Sequence, residues 1–420
     1  MIRLALASLL NRKASAWLTI LAIAVSTLLL LGVERVRHQT QENFANTISG
    51  TDLIVGARTG NTQLLLSSVF HIGALSNTLS WQSYQHLQGL RGVAWHIPIA
   101  LGDSFGEFPV VATSTDFFEY FRYADRQALI FAQGDSFDDA QTAVLGAEVA
   151  KRRQLKLGDK FTISHGSGGI SFSDHDAHPF KVSGILERTG TPVDQAVYIP
   201  LSGLGQVHGE SVRDTTHENE HAHDHEHTHE HSHEPPVYTL SAVLLGLSSR
   251  PLALRMQRDI NTYQGEPLTA IMPGMALTEL WRTLNLFEKA LLAVSTLVVA
   301  TGLLGMLTAL LSSLRERRRE MAVLRAVGAG PVTIFGLLVS EALILAMVGV
   351  GIGIGMLYLI IGVGGDALLA NTGILLRATP LTTTEWSFLA AIILAALILS
   401  FIPAWRAYRN ALADGLTIRV

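Results

Sequence analysis

Four apolar segments, each about long enough to cross a membrane as a helix, constrain this chain more than any other feature. A bilayer core roughly 30 Å thick needs about 20 apolar residues in a helix. The sequence contains such segments at residues 14–33, 290–311, 331–363 and 386–403. Only 16% of the residues are charged, against roughly 25% in a typical soluble protein. The sequence therefore predicts a membrane protein with four transmembrane helices.

The first segment needs to be distinguished from a cleaved signal peptide. It follows the basic residues Arg3, Arg12 and Lys13, as a signal peptide would. Its apolar run is too long for a signal sequence, however, and no pair of small residues at a cleavage spacing closes it. We interpret residues 1–33 as a cytoplasmic amphipathic helix followed by an uncleaved first span.

The distribution of basic residues predicts the orientation, because cytoplasmic loops are enriched in Lys and Arg. The short connection 364–385 contains only Arg377. The other flanks are richer in arginine, namely Arg315, Arg317, Arg318, Arg319 and Arg325 in the loop 312–330 and Arg406, Arg409 and Arg419 in the tail 404–420. We therefore expect both termini and the loop 312–330 in the cytoplasm of a bacterium, at its inner membrane. Residues 34–289 would then form a large periplasmic domain.

The fold class of the external segment follows from its mixture of patterns. Short β-rich runs such as Phe180–Leu186 are interspersed with helical patterns such as Trp81–Leu90. Strands and helices do not alternate strictly, which favours an α+β domain. The predicted fold is an α-helical membrane protein with four transmembrane helices and a large α+β periplasmic domain between the first and the second.

Several classes of chemistry are excluded by composition and motifs. The chain has no cysteine, which excludes disulfides, cysteine-based zinc sites and thiol catalysis. It has neither a G-x-x-x-x-G-K-[ST] phosphate loop nor a G-x-S-x-G nucleophile elbow. The formal net charge of −4 provides no field for binding nucleic acid. We expect no catalytic residues and no ATP bound directly by this chain.

A family resemblance covers nearly the whole chain. Its most specific part is Arg315–Ala329, which is similar to the signature E-R-x-x-E-h-x-x-L-R-A-h-G-A, where h is apolar. Further similar segments are Leu6–Lys13, Ser49–Ala57, Leu65–Gly73, Val144–Ala150, Leu157–Lys160, Gly190–Pro200 and Pro403–Ala407. The chain resembles the permease subunits of FtsX/MacB-type ABC transporters, which include the lipoprotein-releasing permeases. It departs from them in the tail Asn410–Leu416 and in an insertion at about 210–236.

The resemblance implies that 312–330 is a coupling helix, which contacts a cytoplasmic ATPase. A helix there carries Arg and Glu on one side and apolar residues on another, a pattern that can dock into a groove of a partner. The alternative is a basic anchor that only fixes topology, and the interleaved Glu316 and Glu320 disfavour it. The candidate coupling residues are Arg315, Glu316, Arg319, Glu320, Met321, Leu324, Arg325 and Gly328.

The third apolar segment contains two overlapping G-x-x-x-G patterns, formed by Gly349, Gly351, Gly353 and Gly355. Small residues at this spacing let helix backbones approach closely in a membrane. A nucleotide-binding loop is disfavoured, since no strand precedes the glycines. We therefore predict helix packing at this site. We interpret Glu341, the one acid well inside the segment, as structural.

A histidine-rich tract distinguishes this chain from its predicted family. Eight histidines alternate mainly with acids, at His217, His221, His223, His225, His227, His229, His231 and His233. Imidazoles suit zinc, and a polar tract of this kind predicts a disordered loop with several exchangeable sites. A solvated linker and a loop that gains charge near pH 6 are the alternatives. His165, Asp174, His175, Asp176 and His178 form a smaller candidate cluster.

These observations predict a permease subunit that couples ATP hydrolysis by a separate cytoplasmic P-loop ATPase dimer to periplasmic conformational change, here called mechanotransmission. The change would export or extract an envelope substrate, with a link to zinc. The resemblance also implies a second permease copy, identical or closely related, and we expect membrane lipid and a periplasmic accessory protein or lipoprotein as further partners. Two alternatives stay open, an FtsX-like regulator of a periplasmic hydrolase and a membrane-anchored zinc sensor or buffer without an ATPase.

Overall fold

Two units make up the chain. The computed structural model describes residues 13–73, 77–165, 173–174, 179–205, 239–316, 326, 328–372 and 376–413. Residues 1–40, 284–369 and 376–420 belong to one unit, here called the membrane unit. Residues 41–283 and 370–375 belong to the other, here called the sheet unit.

Helices in the described residues include four that are much longer than the rest. Their bounds are α1 Lys13–Thr47, α2 Asn61–Phe70, α3 Trp81–Gln88, α4 Asp116–Tyr120, α5 Ala147–Arg153, α6 Ala253–Asn261, α7 Pro273–Glu316, α8 Pro331–Thr372 and α9 Thr383–Ala413. Helices α1, α7, α8 and α9 are long and apolar enough to cross a membrane. Each contains one of the four predicted apolar segments.

Strands lie in the sheet unit. Their bounds are β1 Leu53–Ala57, β2 Leu79–Ser80, β3 Val93–Phe105, β4 Phe108–Thr113, β5 Arg122–Tyr123, β6 Gln127–Ala128, β7 Phe131–Gly134, β8 Thr142–Leu145, β9 Lys160–Phe161, β10 Ser164–His165, β11 Ser173–Asp174, β12 Phe180–Leu186, β13 Val197–Pro200, β14 Thr239–Leu240, β15 Ala242–Leu247 and β16 Leu268–Ile271. The mixture of strands and helices after the first membrane helix confirms the predicted α+β domain.

The membrane helices continue well past their apolar segments. Helix α1 runs on through Glu34, Arg35 and Gln39 to Thr47, because residues 34–49 include no Gly or Pro. Helix α7 begins at Pro273, a residue that suits the first turn of a helix. A helix rises about 1.5 Å per residue, so α1 and α7 exceed the roughly 30 Å needed to span a bilayer core. Both helices contain residues of the two units.

Apolar side chains from all four long helices form the core of the membrane unit. Ile23 and Leu31 of α1, Met306 of α7, Ala346 of α8 and Ala396 of α9 are nearly inaccessible within one shared cluster. The opposite faces of the helices expose large apolar side chains, as expected for surfaces that contact lipid. Burial in this unit therefore depends on close fit between helices.

The four glycines of α8 occupy two different faces of the helix. A Cβ added at Gly353 would lie 2.7 Å from the Ala24 carbonyl oxygen and 2.8 Å from Thr27 Cβ. A Cβ at Gly349 would likewise lie 2.8 Å from Ile23 Cβ. By contrast, a Cβ at Gly351 or Gly355 would meet no heavy atom within 4 Å. One G-x-x-x-G pair thus packs against α1, and the other lines an open face of the membrane unit.

The main sheet of the other unit is organised around the long strand β3. Along its principal path the strand order is β16-β1-β15-β3-β4-β13-β8-β12-β7. The first part of β3 pairs with β15, from Val93 to Ile99, and its remainder pairs with β4. Strand β3 therefore connects an antiparallel half of the sheet to a half that also contains parallel pairs, β4–β13 and β8–β12.

Strands β8 and β16 are short, and the structure buries all four residues of β8. Each has only four residues, so an alternating pattern has little room to develop. Their burial comes from neighbouring strands, since β8 lies between β12 and β13 and β16 pairs with β1. The local sequence of β8 or β16 does not identify these partner strands.

Two segments that carry the family resemblance meet in this sheet. Leu145 pairs with Val197, and the Gly146 amide donates to the Ala196 carbonyl oxygen at 3.0 Å. Nearby, Asp194 accepts hydrogen bonds from the amides of Thr189 at 2.8 Å and Gly190 at 2.7 Å. Burial raises the pKa of the Asp194 carboxyl, although these donors act in the opposite direction. The loop is thus fixed by hydrogen bonds to a buried carboxyl group.

Gly146 is expected to tolerate no side chain, because a Cβ there would overlap the backbone carbonyl oxygens of Val193 and Asp194. Gly146→Ala should lower the free energy of unfolding of the sheet unit by about 1–3 kcal/mol, the usual cost of overpacking. Thermal unfolding of the full chain in detergent, followed by near-UV circular dichroism, measures the change. Gly274→Ala is the matched control, since a Cβ there meets no heavy atom within 4 Å. Equal stability of the two variants would contradict the packing argument.

The two faces of α8 provide a second comparison within one helix. Gly353→Val should push α1 away from α8 and lower the thermal midpoint of the membrane unit, at a cost of about 1–3 kcal/mol. Gly355→Val makes the same change on the open face and should leave that midpoint nearly unaltered. Hydrogen exchange of α1 and α8 in detergent locates the effect. A larger loss of protection with Gly355→Val would show that the open face is the packed one.

Candidate functional site

A buried ion pair joins α1 to the start of α9 in the membrane unit. Arg35 Nε lies 2.7 Å from Glu385 Oε1, and Arg35 Nη2 lies 2.9 Å from Glu385 Oε2. The side chains are only 2% and 1% exposed. Two parallel hydrogen bonds from a guanidinium to a carboxylate form a strong and direction-specific contact. The pair fixes both the distance and the rotation of α1 relative to α9.

The connection before α9 completes the hydrogen bonding of Arg35. Arg35 Nη1 donates to the Thr379 carbonyl oxygen at 2.8 Å, and the hydroxyl of Tyr358 in α8 donates to the same oxygen at 2.8 Å. The guanidinium carbon also lies 5.6 Å from the centre of the Tyr358 ring, within cation–π range. One carbonyl oxygen thus receives donors from α1 and α8 together.

Gln39 forms a second contact one turn further along α1. Its Nε2 donates to the Arg377 carbonyl oxygen at 2.8 Å, and its Oε1 accepts from the Arg377 amide at 2.8 Å. Because Arg35 and Gln39 are four residues apart, they lie on the same face of the helix. We call Arg35, Gln39, Tyr358, Thr379 and Glu385, with the backbone of Arg377, the Arg35 cluster.

Glu385 is positioned by its own helix as well as by Arg35. The Thr382 amide donates to Glu385 Oε2 at 2.7 Å, and the Glu385 amide donates to Thr382 Oγ1 at 3.3 Å. This reciprocal arrangement is a capping box at the start of α9. Removing one partner of a buried pair of this kind costs about 3–5 kcal/mol, because the other charge is left without compensation. Arg35 and Glu385 therefore depend on each other for their burial.

Exposed tryptophans indicate where the cluster lies relative to a membrane. Trp386 and Trp405 of α9 are about 60% exposed and 19 residues apart. That separation corresponds to about 28 Å along a helix, close to the thickness of a hydrocarbon core. Tryptophan is enriched at both membrane interfaces. Glu385 adjoins Trp386, so the Arg35 cluster belongs at one interface, at the level where α1 leaves the bilayer.

The opposite side of α1 carries a weaker polar contact. Arg37 forms an ion pair with Glu34 of the same helix, with Nη2 2.6 Å from Oε1. Its Nη1 lies 3.9 Å from Glu288 Oε2 of α7. Arg37 is 34% exposed and Glu288 is 23% exposed, so water can reach both groups. The long, water-accessible contact between Arg37 and Glu288 therefore contributes little to stability.

Sequence reasoning missed the Arg35 cluster, because Arg35 and Glu385 fall just outside the predicted spans 14–33 and 386–403. A signal was nevertheless present. Arg35 and Gln39 continue an uninterrupted helix beyond its apolar part, and Thr382 stands three residues before Glu385 in a capping-box pattern. The pattern predicts a helix start, but it does not identify the arginine that Glu385 binds.

The predicted coupling residues are described only at the edges of their loop. Arg315 and Glu316 are the last two residues of α7, and Gly328 has a positive φ of 99° shortly before α8 begins. Arg319, Glu320, Met321, Leu324 and Arg325 lie outside the described residues, as do the segment Leu6–Arg12 and the tail from residue 414. Their roles stay predictions. Glu341 is buried in α8 and takes part in a polar interaction there.

The predicted metal ligands likewise fall outside the described residues, from His217 to His233. Of the smaller cluster, His165 lies in β10 opposite Asp103 of β3, while Asp174 lies in β11 opposite Ser164. His175, Asp176 and His178 are outside the described residues. In the parts of the chain that the structure describes, no three His, Asp or Glu residues are grouped so that they could hold a metal ion.

Comparison with known families gives two matches along the chain. The family described as MacB-like periplasmic core domain matches residues 16–222. The family described as FtsX-like permease C-terminal matches residues 292–412. The first match begins in α1 and extends through most of the sheet unit, and the second contains most of α7 and all described residues of α9 except Ala413.

Curated relatives are longer than this chain. The macrolide export ATP-binding/permease protein MacB of Nitrobacter winogradskyi is 33% identical over 138 residues, which are 32% of this chain and 20% of that protein. The pyoverdine export ATP-binding/permease protein PvdT of Pseudomonas entomophila is 24% identical over 336 residues, which are 77% of this chain and 45% of that protein. The chain thus spans less than half the length of either relative.

Among solved structures, the periplasmic region of MacB from Actinobacillus actinomycetemcomitans is similar to 57% of this chain, over 95% of its own length, with 13% identity and a TM-score of 0.34. The two family matches agree with the order of the elements in the fold. The first covers the domain that follows the first membrane helix, and the second covers the region of the remaining three membrane helices. The chain therefore belongs to the FtsX/MacB-type family of ABC transporter permeases.

Proposed function

We propose that the chain is a permease subunit in which a separate cytoplasmic ATPase drives conformational change in the periplasmic domain, so that an envelope substrate is exported or extracted. The observation that carries the proposal is the order of the two matched families on one chain that has no phosphate-loop motif. ATP chemistry would then come from a partner. The names of both relatives combine ATP-binding with permease, which supports this assignment.

The orientation belongs to the same proposal. The arginines between α7 and α8 favour a cytoplasmic loop, because basic residues are retained on that side. Both termini would then be cytoplasmic, in an inner membrane, and the sheet unit would be periplasmic. The ATPase dimer would bind the segment from Arg315 to Gly328, and a second permease copy would complete the membrane part.

The continuity of α1 and α7 supports the proposed mechanism. Each helix includes residues of the membrane unit and of the sheet unit without a break. A hydrogen-bonded helix resists bending, so a displacement applied to its membrane part is carried along its axis. In the described parts of the membrane helices, large exposed side chains are mostly apolar, and the buried charges of the Arg35 cluster are paired. This supports transmission of motion in preference to passage of a hydrophilic solute.

We also propose that the histidine tract binds zinc. The eight histidines between His217 and His233 would gather zinc in the periplasm, with three or four imidazoles for each ion. Ordering a flexible tract costs conformational entropy, so the affinity would be modest and the ions exchangeable. The extracted or exported substrate would then be one that involves zinc, or the tract would report zinc to the transport cycle.

Co-purification tests the central claim. The full chain, isolated from native membranes in mild detergent, should bring with it a stoichiometric P-loop ATPase that mass spectrometry identifies. Vanadate-trapped and nucleotide-free complexes should differ in hydrogen exchange over residues 41–283. Absence of an ATPase, even after crosslinking, would overturn the proposal and favour a membrane-anchored zinc sensor or buffer. A periplasmic hydrolase in the same complex would favour the FtsX-like regulator.

Charge reversal tests the coupling segment. Arg319→Glu with Arg325→Glu should reduce retention of the ATPase by at least about tenfold, because reversed charges at an interface also repel the partner. Insertion into the membrane should be unchanged. Arg255→Glu with Arg258→Glu is the matched control, since both residues are exposed on α6 of the sheet unit. Equal ATPase retention in the two double variants would contradict a coupling role.

Metal uptake tests the histidine tract. The full chain should bind roughly two zinc ions more than a variant in which all eight histidines are replaced by glutamine, given three or four ligands for each ion. Below about pH 6 the difference should disappear, because protonated imidazoles do not bind metal. Inductively coupled plasma mass spectrometry after dialysis measures the content. Equal zinc in both proteins would reject metal binding by the tract.

A further inference from the structure

Helix α1 carries polar contacts on two opposite sides at the same level. Arg35 and Gln39 face the connection 376–385, whereas Arg37 faces Glu288 of α7. Residues two apart in a helix are separated by about 200°, which places these contacts on opposite sides of the axis. Helix α1 therefore stands between α7 and the connection that leads into α9.

The two contacts differ in strength. The Arg35–Glu385 pair is almost completely buried and has hydrogen bonds at 2.7 and 2.9 Å. Arg37 approaches Glu288 at 3.9 Å, and both side chains are partly exposed. Water can replace the second contact, but no solvent can reach the charges of the first when it breaks. Separating α1 from the connection 376–385 therefore costs far more free energy than separating α1 from α7.

The packing along each helix agrees with this difference. Arg35 and Gln39 of α1, which contact the connection 376–385, are buried. Within residues 285–294 of α7, every residue except Glu288 is exposed, and Ser295 is the first that is buried. On this level α1 is embedded in its surroundings on the side of α8 and α9, while α7 makes few contacts.

We propose that Arg35 is a positioning residue, which clamps α1 to the connection 376–385 so that the two move as one body during the transport cycle. Displacement of α8 and α9 is then passed directly to α1, and through α1 to the residues that follow it in the sheet unit. Gln39 and Tyr358 support the clamp by binding the backbone of Arg377 and Thr379. The inference rests on the proposed function, since it specifies how motion leaves the membrane helices.

The test uses the fact that the chain has no cysteine, so introduced thiols react alone. Gln39→Cys and Arg377→Cys place two thiols across the clamp, where a short bifunctional thiol reagent can bridge them. The readout is the difference in hydrogen exchange over residues 41–283 between the nucleotide-free and the vanadate-trapped complex. ATPase activity of the complex is measured in parallel.

In Arg35→Gln the ATP-dependent difference should fall by about tenfold, a loss typical of coupling energies between sites, while ATPase activity persists. Bridging positions 39 and 377 in that variant should restore the difference, because a covalent bond replaces the clamp. A residue needed only for folding would not be rescued by a bond made after folding. Glu288→Gln is the matched control, since it removes the long contact to α7 and keeps the Arg37–Glu34 pair, and it should retain the difference within about twofold.

If Arg35→Gln does not fold, the same bridge made in a chain that keeps Arg35 still tests the inference. Two parts that move as one body can be joined covalently without loss. Bridging the thiols introduced at positions 39 and 377 beside an intact Arg35 should therefore lower neither the exchange difference nor ATPase activity relative to the same double variant before bridging. Loss of either on bridging would overturn the clamp, and so would an undiminished exchange difference in Arg35→Gln. An unaltered complex without any ATP-dependent difference would instead refute the proposed function itself.

Discussion

The buried guanidinium of Arg35 needs a carboxylate partner and hydrogen-bond acceptors. Helices α8 and α9 and the connection between them supply these contacts, and much of the membrane unit depends on them. Arg35 and Glu385 are 350 residues apart in the sequence, yet they exclude solvent from each other almost completely. The capping box at Thr382 orients the carboxylate, and the backbone of the 376–385 connection accepts the remaining guanidinium donor. An unpaired charge here would cost several kcal/mol, so the start of α9 and the end of the apolar part of α1 must stay together.

The glycines of α8 hold the same helix at a second point. Close approach at Gly353 brings α8 against Ala24 and Thr27 of α1, where any side chain would separate the backbones. Arg35 lies two to three turns further along, at the interface marked by Trp386. Two fixed points define the direction of a helix. The direction of α1 is therefore determined by α8 and by the start of α9, and α7 contributes less at the interface because its side chains there are largely exposed.

Two features hold parts of the sheet unit in place relative to each other. They are the long strand β3 and the contact between Gly146 and the backbone of Val193 and Asp194. Strand β3 belongs to both halves of the main sheet, so a displacement of one half must involve the other. The buried Asp194 fixes the loop before β13 through the amides of Thr189 and Gly190. Such a domain is suited to moving in large rigid parts, which is what the proposed transmission of motion requires.

The sequence by itself determined the four membrane segments, because their length and apolar character allow no other placement, and the motifs of Arg315–Ala329 and Gly190–Pro200 indicated the family. It also established the histidine tract, which is recognised from its residue composition alone. The structure decided which G-x-x-x-G pair packs, since Gly353 and Gly355 are equivalent in pattern and differ only in what stands opposite them. It likewise decided the short strands β8 and β16 and the partner of Arg35. Such features depend on contacts between residues distant in the chain, and a local pattern of hydropathy or charge holds no information about them.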